Sequence, residues 1–315
     1  MDPVTLDRDA VLAGCEALDG AGGFAITTRD IVAVSGPDAG RYLQGQLSQE
    51  VVAMSAPSAW SFVLAPTGRV DAWMCVHRLD AEHYLLDVEA GWGGVVTTRL
   101  RRFLLRTDAT IADPEARSVL QCRWGGGIVR LGVVDDGRPS APVVAPGAAG
   151  ADVLLDPGAP IDPPAGTEGL VPVPIASLER HRIAHGVPRM GAELDDETIP
   201  AEAGQWVIDA SVSFTKGCYT GQELVARIDS RGAQVPRPVR LLRLDGDAAI
   251  GDEVHAGEAA ALRGTVTSAT PWLSDDRPAL ALAPLARAVA IGDVVSVRTA
   301  DGPVRATVVE PGTVA

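Results

Sequence analysis

The sequence predicts an α+β protein that ends in a small β-barrel. Three observations carry that reading. Across residues 1–235 amphipathic helical periods alternate with strand-like runs, and after "RGAQVPRPVR" the chain becomes a series of short strands punctuated by Gly, Asp and Pro. No internal repeat of fixed period is visible in it. At 315 residues the chain is long enough for more than one unit with its own core. The reading divides it into an α+β region over 1–235, with a strand-rich part at about 51–110, and a β-barrel over 236–315.

Taken in order, "DIVAVSGPDAGRYLQGQL" begins with strand-like Ile31, Ala33 and Val34 and turns at Ser35-Gly36-Pro37. Ser35 and Asp38 have capping-box spacing, and Ala39, Tyr42, Leu43 and Leu47 recur at helical intervals. The stretch "WSFVLAPTGRVDAWMCVHRLDAEHYLLDVEAG" reads as strands at 60–65, 69–79 and 83–89, split by Pro66-Thr67-Gly68 and Asp80-Ala81-Glu82, and predicts an antiparallel meander. In "VVTTRLRRFLLRTD" Val95, Leu100, Phe103 and Leu104 share one helical face, and Arg99, Arg102 and Arg106 another. Those arginines are either a solvated face or an anion site, for instance for a glutamate tail.

Residues 123–170 are crowded with Gly, Pro, Ala and Asp, so only short strands fit, around Ile128–Val134 and Val153–Leu155. The helix opening "IASLERHRIAHGVP" ends where Gly186 and Pro188 stand, a left-handed-permissive residue followed by a breaker. His181 and His185 stand four apart on it, but no third ligand accompanies them, which favours a structural role over a metal site.

Charge and cysteine usage narrow the function. Acidic residues outnumber basic ones 41 to 27, giving a net charge of −14, which repels a polyanion and argues against general nucleic-acid binding. No apolar run reaches the length of a spanning helix, and the acidic opening "MDPVTLDRDA" is unlike a secretory leader, so a cytoplasmic protein with no membrane association is expected. The four cysteines, at 15, 75, 122 and 218, form no CxxC and predict free thiols rather than disulfides or a zinc site.

The stretch "SFTKGCYTGQELVARIDSRG" holds the chemistry. Thr220-Gly221-Gln222-Glu223 has capping-box spacing and predicts a helix from Gly221 to about Asp229. Cys218 then lies just before the positive end of that helix, with Lys216 nearby, and both favour thiolate. Gly217 and Gly221 would let a ligand approach the backbone. The competing reading makes Cys218 a small buried hydrophobe.

The motif "KGCYTGQE", with Ala226-Arg227 and Arg231-Gly232 after it, resembles the signature of YgfZ-type folate-binding proteins. "GVPRMGAELDDETIPAEAG" and "SGPDAGRYLQGQL" resemble that family's pattern too, so the likeness spans most of the chain. It implies kinship to the glycine cleavage T-protein, a tetrahydrofolate-dependent aminomethyltransferase. The implied fold has two intertwined α+β parts around a central channel, plus a C-terminal β-barrel. The resemblance also implies a reduced folate such as tetrahydrofolate in the channel, iron-sulfur client enzymes as partners, and a role in making or maintaining iron-sulfur proteins. By motif it implicates Lys216, Gly217, Cys218, Tyr219, Gly221, Gln222, Glu223 and Arg227. Asp71 in "APTGRVDAW" resembles the T-protein's catalytic aspartate, which leaves open a folate-dependent one-carbon transferase; its bland alternative is an outward-facing strand residue. Where the T-protein carries a glutamate for the pterin, this chain has Ala184, so either Glu193 or Glu202 substitutes for it or the folate sits differently.

Overall fold

The computed structural model describes residues 7–124, 138–158, 169–230, 232, 234–256 and 261–314. The first part contains α1 (Arg8–Asp19), β1 (Gly23–Ser35), α2 (Ala39–Gln46), β2 (Ser58–Leu64), β3 (Val70–Arg78), β4 (His83–Glu89), α3 (Gly93–Arg101), β5 (Thr110–Ile111), β6 (Glu115–Arg123), β7 (Ser140–Pro142), β8 (Gly150–Leu154), β9 (Val171–Pro172), α4 (Ile175–Ala184), α5 (Gln205–Ser211) and α6 (Gln222–Asp229). The second contains β10 (Val239–Leu244), β11 (Glu253–Ala256), β12 (Ala261–Thr265), β13 (Ser268–Thr270), β14 (Ala279–Pro284), β15 (Val294–Thr299) and β16 (Gly302–Val309). The architecture is α+β, as the sequence predicts.

The large sheet runs β2-β3-β4-β1-β6-β8-β7, with β5 and β9 also pairing with β1. The meander is present as read: β2 pairs antiparallel with β3, and β3 with β4. Because successive side chains on a strand face opposite ways, each strand serves two surfaces. Val32, Val34, Met74, Val76, Leu86 and Val88 point to one side and bury against Tyr42, Leu43 and Leu47 at α2 and Val96 and Leu100 of α3. Each such side chain contributes roughly 1.5–3 kcal/mol when fully covered. The alternate positions Arg29, Trp73, Glu89, Gln121, Arg123 and Asp152 face the other way and line a cavity. The sheet curls around it until its ends meet, where the Trp60 indole N–H of β2 donates to the Pro142 carbonyl of β7 at 2.9 Å.

Helix α4 covers the cavity and joins it to the second sheet. Ile175, Leu178, Glu179 and His181 face the cavity, while Ile183 and Ala184 pack on Leu241, Leu280 and Leu282. Its end is as predicted, with Gly186 at φ 64° just past the last turn. The second sheet runs β12-β11-β15-β16-β10-β14-β13, and a bridge between Gly264 and Leu285 folds its β12 edge back beside β14.

Several local readings differ from the structure. Helix α1 was not anticipated; Asp7 caps it by accepting from the Ala10 N–H, and its Leu18 packs on Leu178. Strand β1 begins at Gly23 rather than near Ile31. The Ser35–Asp38 capping box does not form, because Ser35 is still paired in the sheet and the Asp38 carboxylate accepts from the Asp108 N–H and faces Arg41. The strand expected at Ile128–Val134 lies outside the described residues; the one at Val153–Leu155 is β8.

Candidate functional site

The cavity inside the curled sheet has a volume of about 170 Å³. One wall is aromatic. Trp60 and Trp73 stack with ring centroids 4.4 Å apart, and Trp206 meets Trp73 edge-on at 6.4 Å. The Trp73 indole N–H donates to Ser211 Oγ at 2.9 Å, which fixes the ring.

The other wall is ionic. Arg29 bonds Asp87 at 2.5 Å and Glu89 at 2.7 Å, Arg123 bonds Asp152 at 2.6 Å, and Glu179 bonds Arg182 and Arg189. Burial works against the Arg29 charge, but Asp87 and Glu89 more than offset it and hold the guanidinium protonated. Burial likewise pushes Asp87 up, and Arg29 and His77 bring its carboxyl to a net position below the ordinary range. Burial, then His185 and Arg123, lower His181 well below the usual imidazole value, so a neutral ring faces the cavity.

Acceptor capacity remains on this wall. Glu89 uses one carboxylate oxygen for Arg29, the second Asp152 oxygen has only Gln121 at 3.5 Å, and buried Thr27 Oγ1 has no hydrogen-bond partner among the described residues. Such a surface suits a flat ring with N–H donors on its edge. Arg189, more than a third exposed, stands near, paired with Glu179 at 3.3 Å.

The cysteine loop is built elsewhere, against α2 and the β2–β3 turn. Gly221 at φ 85° caps α6, and an added Cβ there would lie 2.6 Å from the Ala65 carbonyl and 2.7 Å from Leu64 Cβ. Gly68 is equally close to Leu224, so two glycines let the loop seat on the hairpin. The predicted Thr220–Glu223 capping box is not formed: Gly221 takes the cap position, Thr220 N–H donates to the Gly45 carbonyl, and Tyr219 N–H donates to Gln222 Oε1.

The Lys216 ammonium donates to the carbonyls of Gln44, Leu47 and Gln49 at 2.6–2.9 Å. It therefore ties the loop to the segment after α2, where the sequence placed it as a charge for Cys218. Burial lowers Lys216 to about 8, with Glu50 acting in the opposite direction. Tyr219 is buried among Phe62, Leu64 and Trp73, its phenol pushed up to about 12 by that burial. Cys218 is exposed, whereas Cys15, Cys75 and Cys122 are buried, so the reading of Cys218 as a covered hydrophobe does not hold. Gly217, Glu223 and Arg227 are exposed as well.

Asp71 sits beside this loop. Val63 pairs with Ala72 and Leu64 with Val70, so Asp71 is the extra residue of a β-bulge. The bulge aims it at Arg99 of α3, 3.2 Å away, and Arg99 also donates to the Leu64 carbonyl and to Gln46. Burial raises the Asp71 carboxyl above its ordinary range, with Arg99 opposing. Arg99 is thus a buried structural cation, separate from exposed Arg102 and Arg106.

Glu193 and Glu202 are held by internal bonds. Glu193 accepts from Arg182, the Arg189 N–H, Thr267 and Ser268, and Glu202 accepts from the Ile199 and Arg237 N–H groups. Neither lines the cavity, nor do Asp71 or any of Lys216–Glu223. Among the described residues no three His, Cys, Asp or Glu side chains gather as a metal site, and no helix is long and apolar enough to cross a membrane. Sequence reasoning missed Arg29, Trp60, Trp73, Glu89, Arg123 and Asp152. The signal available was alternation: Trp73, Cys75 and His77 share one face of β3, and Asp87 and Glu89 one face of β4.

A curled sheet around a polar cavity, covered by α4 and followed by a second all-β sheet, defines an aminomethyltransferase-type fold. The crystal structure of glycine cleavage system aminomethyltransferase T from Bartonella henselae matches it with a TM-score of 0.73 over 96% of this chain and 89% of that one, at 15% identity. No family model matches the sequence. The chain is 29% identical over 223 residues to an iron-sulfur cluster assembly factor IBA57 homolog, mitochondrial, of Pyricularia oryzae, covering 67% of this chain and 55% of the relative. It is 38% identical over 108 residues to the tRNA-modifying protein YgfZ of Aliivibrio fischeri, covering 33% of each. It spans about half the length of the IBA57 relatives it matches. In sequence the chain is thus similar to IBA57 and YgfZ proteins, and in fold to aminomethyltransferase T.

Proposed function

We propose that the protein binds a reduced folate in the cavity and acts in the assembly, maintenance or repair of iron-sulfur proteins, with Cys218 as its reactive thiol. One observation carries the folate reading: the stacked Trp60–Trp73 wall faces carboxylates with unused acceptor capacity. The pterin would lie against the tryptophans, its N–H groups toward Glu89 and Asp152, and Arg189 would take the glutamate tail. When bound, tetrahydrofolate supplies a carrier for one-carbon units. Glu193 and Glu202 contribute by holding the surrounding backbone. The iron-sulfur role rests on the names of the IBA57 relatives, and the free state of all four cysteines agrees with a reducing compartment such as the cytoplasm.

In this reading Lys216, Gly217, Tyr219, Gly221, Gln222, Glu223 and Arg227 hold Cys218 at the surface, where a client can reach it. Calorimetric titration with tetrahydrofolate tests the cavity. The wild type should bind, and Trp73→Ala should lose most of the affinity. No heat from the wild type sinks the folate reading, and unchanged iron-sulfur enzyme activity in cells carrying Cys218→Ala sinks the thiol.

A second reading is a folate-dependent aminomethyltransferase using Asp71, favoured by the upward shift of that carboxyl, which suits a proton acceptor. It requires ammonia release from an aminomethylated lipoyl carrier and loss of that release in Asp71→Asn.

A further inference from the structure

We propose that the turn after α3, together with the neighbouring cysteine loop, is a docking surface for an acidic protein segment. Neither the cavity nor its ligand enters into this inference. Helix α3 ends at Arg101 with Arg102 as its C-cap, and the next residues do not fold back onto the sheet as a group. Leu104 packs inward, but Phe103 is 38% and Leu105 79% exposed. Arg106 at φ 54° is the non-glycine residue with positive φ in the described chain, a conformation that costs about 1 kcal/mol or more for a side chain of this kind. That strain accompanies the outward placement of the largest exposed leucine.

The same turn also carries positive charge that no carboxylate opposes. The chain carries a net −14, and exposed Arg41, Arg298 and Arg305 each lie beside a carboxylate. Arg102 and Arg106 have no ion-pair partner among the described residues, and Arg102 lies over the Phe103 ring at 5.8 Å. The surface thus offers two unneutralised guanidinium groups beside an exposed aromatic and an exposed leucine. Arginine and aromatic side chains grouped in this way mark the centres of protein interfaces. Two free arginines on a strongly acidic molecule do not make a track for a nucleic-acid backbone.

The patch continues into the cysteine loop. Buried Arg99 also lies over the Phe103 ring, at 4.4 Å, and donates to Leu64 and Gln46, and on those same segments the loop is seated, through Gly221 against Leu64 and Thr220 N–H on Gly45. Phe214, on the segment that leads into the loop, is 51% exposed.

The test uses the full chain and a short fluorescent peptide alternating Asp or Glu with Leu, its Lys-for-acid counterpart, and a single-stranded oligouridine. The acidic peptide should bind, weaken with added salt, and lose roughly tenfold or more in affinity with Arg102→Glu/Arg106→Glu and with Leu105→Ser. The neutral pair Arg102→Gln/Arg106→Gln should fall between, and Leu105→Met should restore binding. All these positions are exposed, so unfolding midpoints should match the wild type. The proposal is overturned if the acidic peptide does not bind, if the basic peptide or the oligouridine binds as tightly, if the variants bind unchanged, or if sedimentation shows a wild-type dimer that Leu105→Ser dissolves.

Discussion

Arg29 and Asp87 meet at 2.5 Å on the concave face of the sheet, each almost wholly removed from solvent. Removing one partner would leave the other charge buried without compensation. Arg29→Met should destabilise the protein by about 3–5 kcal/mol, and Arg29→Met/Asp87→Leu should recover much of that loss. Because the Asp87 carboxyl is held below its ordinary value, its contribution is complete above about pH 4 and fades as pH falls through the lower folded value. Denaturant melts of the two variants at neutral and acidic pH would check both statements.

Of the four thiols only that of Cys218 is exposed. Intact-mass measurement after brief iodoacetamide treatment should show one adduct on the native protein, none on Cys218→Ser, and additions at Cys15, Cys75 and Cys122 only after unfolding.

Two glycines of the loop motif should respond in opposite ways to alanine. Gly221 has φ 85° and no room for a Cβ, so Gly221→Ala should cost more than about 1 kcal/mol. Nothing lies within 4 Å of a Cβ at Gly217, and Gly217→Ala should stay within about 0.5 kcal/mol of the wild type. Thermal or urea unfolding decides.

Lys216 donates to three backbone carbonyls, those of Gln44, Leu47 and Gln49. Lys216→Met should cost about 1–3 kcal/mol. The local signature is faster amide exchange over 44–49 and 213–221, read by mass spectrometry, with the β-barrel strands unchanged.

The meander, α2, the stop of α4 at Gly186 and the α6 helix were legible because each depends on local patterning: alternation, a 3.6-residue period, or a glycine where the backbone turns left-handed. The roles of individual polar residues were not. Lys216 looked like a charge beside Cys218, yet its acceptors come from a segment some 170 residues earlier, which no local spacing reveals. Asp71 was read from a strand whose alternation a bulge breaks, and the bulge sends its carboxylate to Arg99. The cavity wall was missed for a related reason. Arg29, Glu89, Arg123 and Asp152 come from four strands that are adjacent only once β1 has paired on both edges.

The indole of Trp60 reaching Pro142 latches the first strand of the sheet to the last. The clasp lies on the cavity side of the sheet, opposite the face that α2 and α3 cover. Replacing Trp60 would open that seam and remove one face of the stacked tryptophan pair, so the width of the basin and the flat surface inside it depend on one and the same side chain.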